Sequence, residues 1–168
     1  MNSYKFSYLL AGGAFVAVIA ESLLYYPLLP EMVATHFNAA GNPDGWGTKS
    51  SNLIFELGIT IFIGVLLLTV AIVITKLKNA NINLPNKEYW LAAERRKQTL
   101  QIVAKYLNYL NTLVLLFFFF LFRQISESNM SGYPSLGSSF WFLVIGLIFS
   151  NMVIVIRMIL VFSNIDKK

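Results

Sequence analysis

Four apolar stretches, each long enough to cross a bilayer, govern what this chain can fold into. They run from about Phe6 to Tyr26, Leu53 to Thr75, Ile102 to Phe122 and Ser139 to Phe162. A spanning helix needs about 20 largely apolar residues. In lipid, a helix satisfies its own backbone N–H and C=O groups, which an open strand cannot do. The expected fold class is an all-α integral membrane protein with four transmembrane helices in a single domain, residues 1–168. A short polar extracytoplasmic loop or cap, 27–52, separates the first two helices, and a basic cytoplasmic loop, 76–101, separates the second and third. The chain is 57% hydrophobic and 12% charged. Soluble domains carry about 25% charged residues, so the bilayer itself is the first expected partner.

The charges lie between the apolar stretches. Lys76, Lys78, Lys87, Arg95, Arg96 and Lys97 fill the middle gap, Lys5 precedes the first helix, and Lys167 and Lys168 close the chain. The remaining gaps hold only Lys49 and Arg123 as basic residues. The positive-inside rule then predicts a multi-pass protein of the cell membrane with both termini and the middle loop in the cytoplasm. This topology accounts for the net charge of +5 and the pI of 9.5, and no nucleic-acid partner is expected. With no cysteine in the chain, disulfides and thiolate metal sites are excluded. A secretory leader ending at "VIA" before Glu21 is the competing reading of the N-terminus. The apolar run continues past it through "SLLYYPLL", too far for a leader's apolar core.

The polar loop "PEMVATHFNAAGNPDGWGTKSS" holds the only histidine. Pro27 and Pro30 end the first helix for want of an N–H donor, and Ser50, Ser51 and Asn52 are candidate caps for the second. "EMVATHF" is expected to form a short helix with Met32, Val33 and Phe37 toward the membrane and Glu31 and His36 toward water. "GNPDGWG" is turn chemistry, with Gly41, Pro43, Asp44, Gly45 and Gly47 each suited to tight backbone conformations. Trp46 fits the headgroup region. One histidine without cysteines is too few ligands for zinc, so no metal and no cofactor is expected. His36 is instead expected to hold the cap on the bundle by pairing with Glu21, Glu56 or Asp44.

Polar residues within the spans mark the bundle interior, because a carboxylate at membrane depth must be paired or face a cavity. Glu21 continues the small-residue stripe Gly13, Ala17 and Ala20, and Glu56 lies on the stripe Asn52, Thr60 and Gly64. Arg123 is at a depth to pair with either carboxylate. Asn108, Asn111 and Thr112 share a face of the third helix, and Asn151 lies near Gly146 and Ser150 on the fourth; such residues also bind helices together. In the basic loop and beyond it, "YWLAAERRKQTLQIVAKYLNYL" has helical spacing. It predicts an interfacial helix anchored by Tyr89 and Trp90, with Glu94 pairing Arg95 or Gln98 and with Arg95, Arg96 and Lys97 near lipid phosphates.

"LPEMVATHFNAAGNPDGWGTK" resembles the membrane proteins grouped as domain-of-unknown-function family 1648. The shared pattern falls on Pro30, His36, Phe37, Asn38, Gly41, Asp44, Gly45, Trp46 and Lys49, after a proline-rich exit from a first helix and before a second. "LPNKEYWLAAERR" is similar to a segment of some members through Asn86, Tyr89, Trp90, Glu94 and Arg95, with Arg96 adjoining. The same module precedes the larger membrane domain of Sdp-type toxin-immunity proteins. The resemblance implies a sensing or immunity-like role there, with immunity coupled to a membrane-borne signal that sequesters a repressor.

Two functions follow. The first is a non-enzymatic membrane protein that binds an extracytoplasmic ligand, peptide or membrane partner, with a second copy of the chain as a further expected partner. The second is a small intramembrane enzyme or carrier using His36, Glu21, Glu56 and Arg123 around an outward-facing pocket. The P-loop, the nucleophile-elbow and the HExxH metal motifs are all missing from the sequence, which favours the first.

Overall fold

A computed structural model describes residues 3–165. Within them, four helices are long and apolar enough to cross a membrane. The amino terminus, Lys167 and Lys168, which entered the charge argument, lie outside the described residues.

Helix α1 (Ser3–Tyr25) passes into a 3₁₀ turn, Tyr26–Leu28. There Pro27 takes an early helical position, where no N–H is needed. Beyond Pro30 the chain becomes extended. Strands β1 (Met32–Phe37) and β2 (Pro43–Thr48) pair antiparallel, with an irregularity in register around His36. The short helix expected from "EMVATHF" is therefore a strand, and all of "GNPDGWG" after Asn42 is strand rather than turn. The turn itself occupies 38–42. Pairing satisfies β1's backbone through β2, and the β-branched Val33 and Thr35 suit an extended chain.

β2 leads without a break into helix α2 (Lys49–Val73), so its cap is Thr48 rather than Ser50, Ser51 or Asn52. The Thr48 hydroxyl accepts from the Ser51 N–H at 3.2 Å. After a basic connector containing the four-residue helix α3 (Lys87–Trp90), helix α4 (Arg96–Met130) runs for 35 residues. At ~1.5 Å per residue this is about 52 Å, well beyond the ~30 Å of a hydrocarbon core. Its two ends therefore reach past the apolar stretch and serve as docking posts for the connector and the hairpin. Helices α1, α2 and α5 (Ser138–Ser163) all pack on α4, and α1 also packs on α2. Ala14, Val18, Leu115 and Phe122 form the apolar centre between α1 and α4. In α5 only Phe162 is buried, so this helix presents its apolar flanks outward.

Candidate functional site

The hairpin is built by its own motif. Asn38 closes the turn: its side-chain oxygen accepts from the N–H groups of Ala40 (2.9 Å) and Asn42 (3.1 Å), and its own N–H donates to the Asn42 carbonyl at 2.9 Å. Gly41 has φ +80°, and a Cβ there would lie 1.9 Å from the Leu136 carbonyl oxygen. That contact belongs to a docking bond, in which the Leu136 N–H donates to the Gly41 carbonyl at 2.9 Å. The hairpin tip is thus joined to the α4–α5 loop. Gly45 stands opposite His36, where a Cβ would press on the His36 Cβ at 2.8 Å. Lys49 pairs with Glu31 at 2.9 Å and lies over the Tyr26 ring.

His36 Nδ1 contacts Asp44 Oδ1 across the two strands. With its side chain 73% exposed, it does not hold the cap to the bundle through Glu21 or Glu56. That attachment comes from Asn129, near the end of α4. Its side-chain oxygen accepts from the Ala34 N–H at 2.7 Å, and its amide donates to the Ala34 carbonyl at 3.0 Å. Val33 and Ala34 are completely buried beneath the hairpin, while Trp46 is exposed on the other strand.

Below the hairpin lie the two carboxylates. Glu21 is 5% exposed and Glu56 is 4% exposed. Asn52, Glu56, Thr60 and Gly64 form the buried stripe of α2, the face that their four-residue spacing predicts. On α1 the buried positions are Ser7, Ala11, Ala14, Val18, Glu21 and Ser22. Gly13 and Ala20 face outward, so the interior stripe passes through a neighbouring set of residues although Glu21 belongs to it. The Asn52 amide donates to Glu56 Oε1 at 2.8 Å. Both oxygens of Glu21 and the hydroxyls of Ser22 and Thr60 are buried without a hydrogen-bond partner among the described residues. Glu56 and Arg123 lie within electrostatic reach of Glu21. Arg123 makes its direct bond elsewhere: its Nε–H donates to Glu127 at 2.8 Å, and the Tyr25 hydroxyl donates to the same carboxylate at 3.0 Å. A cavity of about 340 Å³ lined by Thr35, Trp46, Gly47, Ser51, Asn52 and Phe55 joins the hairpin to this end of α2. Asn52 thus borders the cavity and touches Glu56.

Deeper in the bundle, the Asn108 amide donates to Ser7 Oγ and the Asn111 amide to the Gly64 carbonyl, each at 3.2 Å. These asparagines tie α4 to α1 and α2. Asn151 stands apart from them, bonded to its own helix at the Leu147 carbonyl, 2.8 Å away. The helix expected to start at Tyr89 is interrupted between α3 and α4. Trp90 is buried rather than interfacial, and its indole N–H donates to the Phe162 carbonyl at 2.7 Å. The Asn86 amide donates to the carbonyls of Phe162 and Ser163. Arg95 bonds the Tyr89 carbonyl, stacks 4.0 Å from the Tyr89 ring centroid and pairs with Glu94 at 3.0 Å. Arg96 holds Asn79 and the Leu77 carbonyl. Asn86 and Trp90 thus close the C-terminal end of α5, where a helix leaves carbonyls unpaired, while Arg95 and Arg96 bind the connector to itself. No cluster of three or more His, Cys, Asp or Glu side chains suited to a metal occurs among the described residues.

Four apolar helices around a buried polar stripe, with a hairpin clasped over one end, define a multi-pass membrane protein. Residues 13–62 match the family model of the domain of unknown function DUF1648. The match spans the second half of α1, the hairpin and the first half of α2, and includes both Glu21 and Glu56. No curated protein and no solved structure matches the chain.

Proposed function

We propose that the protein is a non-enzymatic membrane receptor that takes a small cationic ligand from the hairpin side and holds it at Glu21 and Glu56. A cationic group of an extracytoplasmic peptide or membrane partner satisfies the same chemistry, in keeping with a sensing or immunity-like role. The observation that carries this reading is Glu21, buried with neither carboxylate oxygen partnered. An ionised carboxylate at membrane depth costs several kcal/mol unless a counter-charge reaches it. The Thr60 hydroxyl, without a partner, and the Ser22 hydroxyl, which faces Glu56, add oxygen donors, and an all-oxygen set suits hard cations and protonated amines. The cavity bordered by Trp46 and Asn52 supplies the approach. In the carrier or enzyme alternative, His36 is engaged with Asp44 outside this place, and Arg123, within electrostatic reach of Glu21, makes its direct bond to Glu127. The basic connector supports a cytoplasmic position for its end of the bundle, and so an extracytoplasmic hairpin.

The test is thermal melting of the purified protein in sodium, calcium or ethylammonium chloride, with N-methylglucamine chloride as the bulky reference. At a ligand concentration 100 times Kd, binding adds about 2.7 kcal/mol of stability. At least one small cation is expected to raise Tm in the parent and not in Glu21→Gln. If no cation discriminates the two proteins, the reading is wrong.

A further inference from the structure

At the end of the bundle opposite the hairpin, a cavity of about 430 Å³ opens between the start of α1, the first turns of α4 and the end of α5. Its polar lining is Ser3, Tyr4, Gln98, Gln101, Lys105 and Tyr106. Every one of these side chains can donate a hydrogen bond, one carries a positive charge, and none is a carboxylate. Lys105 Nζ lies 5.3 Å from the Tyr106 ring centroid. None of the ion pairs among the described residues involves Lys105. The neighbouring arginines are already committed, Arg95 to Tyr89 and Glu94 and Arg96 to Asn79 and Leu77. The uncommitted charge facing the cavity is therefore that of Lys105.

Depth selects among anions. The cavity takes its lining from the first described residues of α1, the start of α4 and the end of α5, and helices of spanning length are expected to bring such ends to headgroup level. Ile102 and Val161 supply an apolar side to the same cavity, where an acyl chain can continue from a headgroup. A lysine reaches this level by extending its charged end along an apolar stem, and ammonium groups bind phosphate as point charges. We propose that this cavity seats the phosphate headgroup of an anionic lipid, with Lys105 as the counter-charge and Gln101 and Tyr106 as neutral donors. The site is separate from the carboxylate pair and stands independently of it.

The test is native mass spectrometry of the full chain released from detergent with phosphatidylglycerol, phosphatidylcholine or inorganic phosphate. Phosphatidylglycerol should be retained about tenfold better than phosphatidylcholine, and Lys105→Gln should remove that advantage, as expected for loss of a charged hydrogen bond. Lys78→Gln, at an exposed position outside the lining, should leave retention unchanged. Equal retention of phosphatidylglycerol by the parent and Lys105→Gln, or equal loss in Lys78→Gln, overturns the site. Lys105-dependent retention of inorganic phosphate without retention of phosphatidylglycerol overturns the lipid assignment in favour of a free anion. Should Lys105→Gln fail to fold, Gln101→Glu decides: a carboxylate in the lining must abolish retention, and unchanged retention rejects the proposal.

Discussion

Replacing Asn129 with alanine should release the hairpin from the bundle. Ala34 is completely buried, and the Asn129 side chain serves both its N–H and its C=O, at 2.7 and 3.0 Å. A single side-chain amide thus acts as a one-residue strand along the free edge of β1. Truncation leaves a buried donor and a buried acceptor unpaired, at about 1–3 kcal/mol each, so about 2–6 kcal/mol together. At 1.4 kcal/mol per tenfold, amides in 32–48 should exchange with deuterium at least about 30-fold faster in the variant. Exchange in the middle of α2 should be unchanged, because opening the hairpin leaves the intrahelical bonds of α2 intact. Asn129→Leu, of the same branched shape, separates the lost hydrogen bonds from the lost packing and should behave in the same way. The reasoning is refuted if hairpin exchange in both variants equals that of the parent.

Gly41→Ala should also free the tip, since its Cβ would occupy the place of the Leu136 carbonyl and φ +80° strains any side chain; a Tm drop of several degrees in detergent is expected. His36→Ala should change Tm little at any pH from 5 to 8, because an exposed pair contributes less than about 1 kcal/mol; a large loss would show that His36 bears on the bundle. Cysteines placed singly at Ser50 and Asn81 should label oppositely with an impermeant reagent in intact cells, with Asn81 protected; labelling of Asn81 would reverse the proposed orientation.

The spanning helices were legible because the bilayer demands long apolar runs, and the α2 stripe because polar residues four apart have no other reason to recur in such a run. The hairpin was not. Gly, Pro and Asp in "NPDGWGT" disfavour strands locally, and pairing with β1 overrides that preference. The agent that secures the hairpin, Asn129, lies in the polar run "SESNMSG", with nothing local to mark it off from a solvated helix end. On α1 the small residues Gly13, Ala17 and Ala20 drew the eye, but the buried line follows Ser7, Ala11, Ala14 and Val18. The alternating spacing of four and three in that line was the available signal. Trp90 beside arginines fits a lipid interface equally well in sequence; only the position of Phe162, far along the chain, shows where its N–H is used.

The way α5 is attached has a consequence for biogenesis. It is synthesised after the other three spans and rests along α4, yet both its ends meet structures that precede it in the chain: Leu136 at the hairpin tip, and Phe162 at Trp90 and Asn86. An inserted α5 therefore arrives at a scaffold whose two end contacts are already in place. These contacts fix its depth and vertical register, because helix-end carbonyls and a loop N–H meet partners at one height only. With its ends held and only Phe162 buried along it, α5 is located by its end contacts more than by its flank.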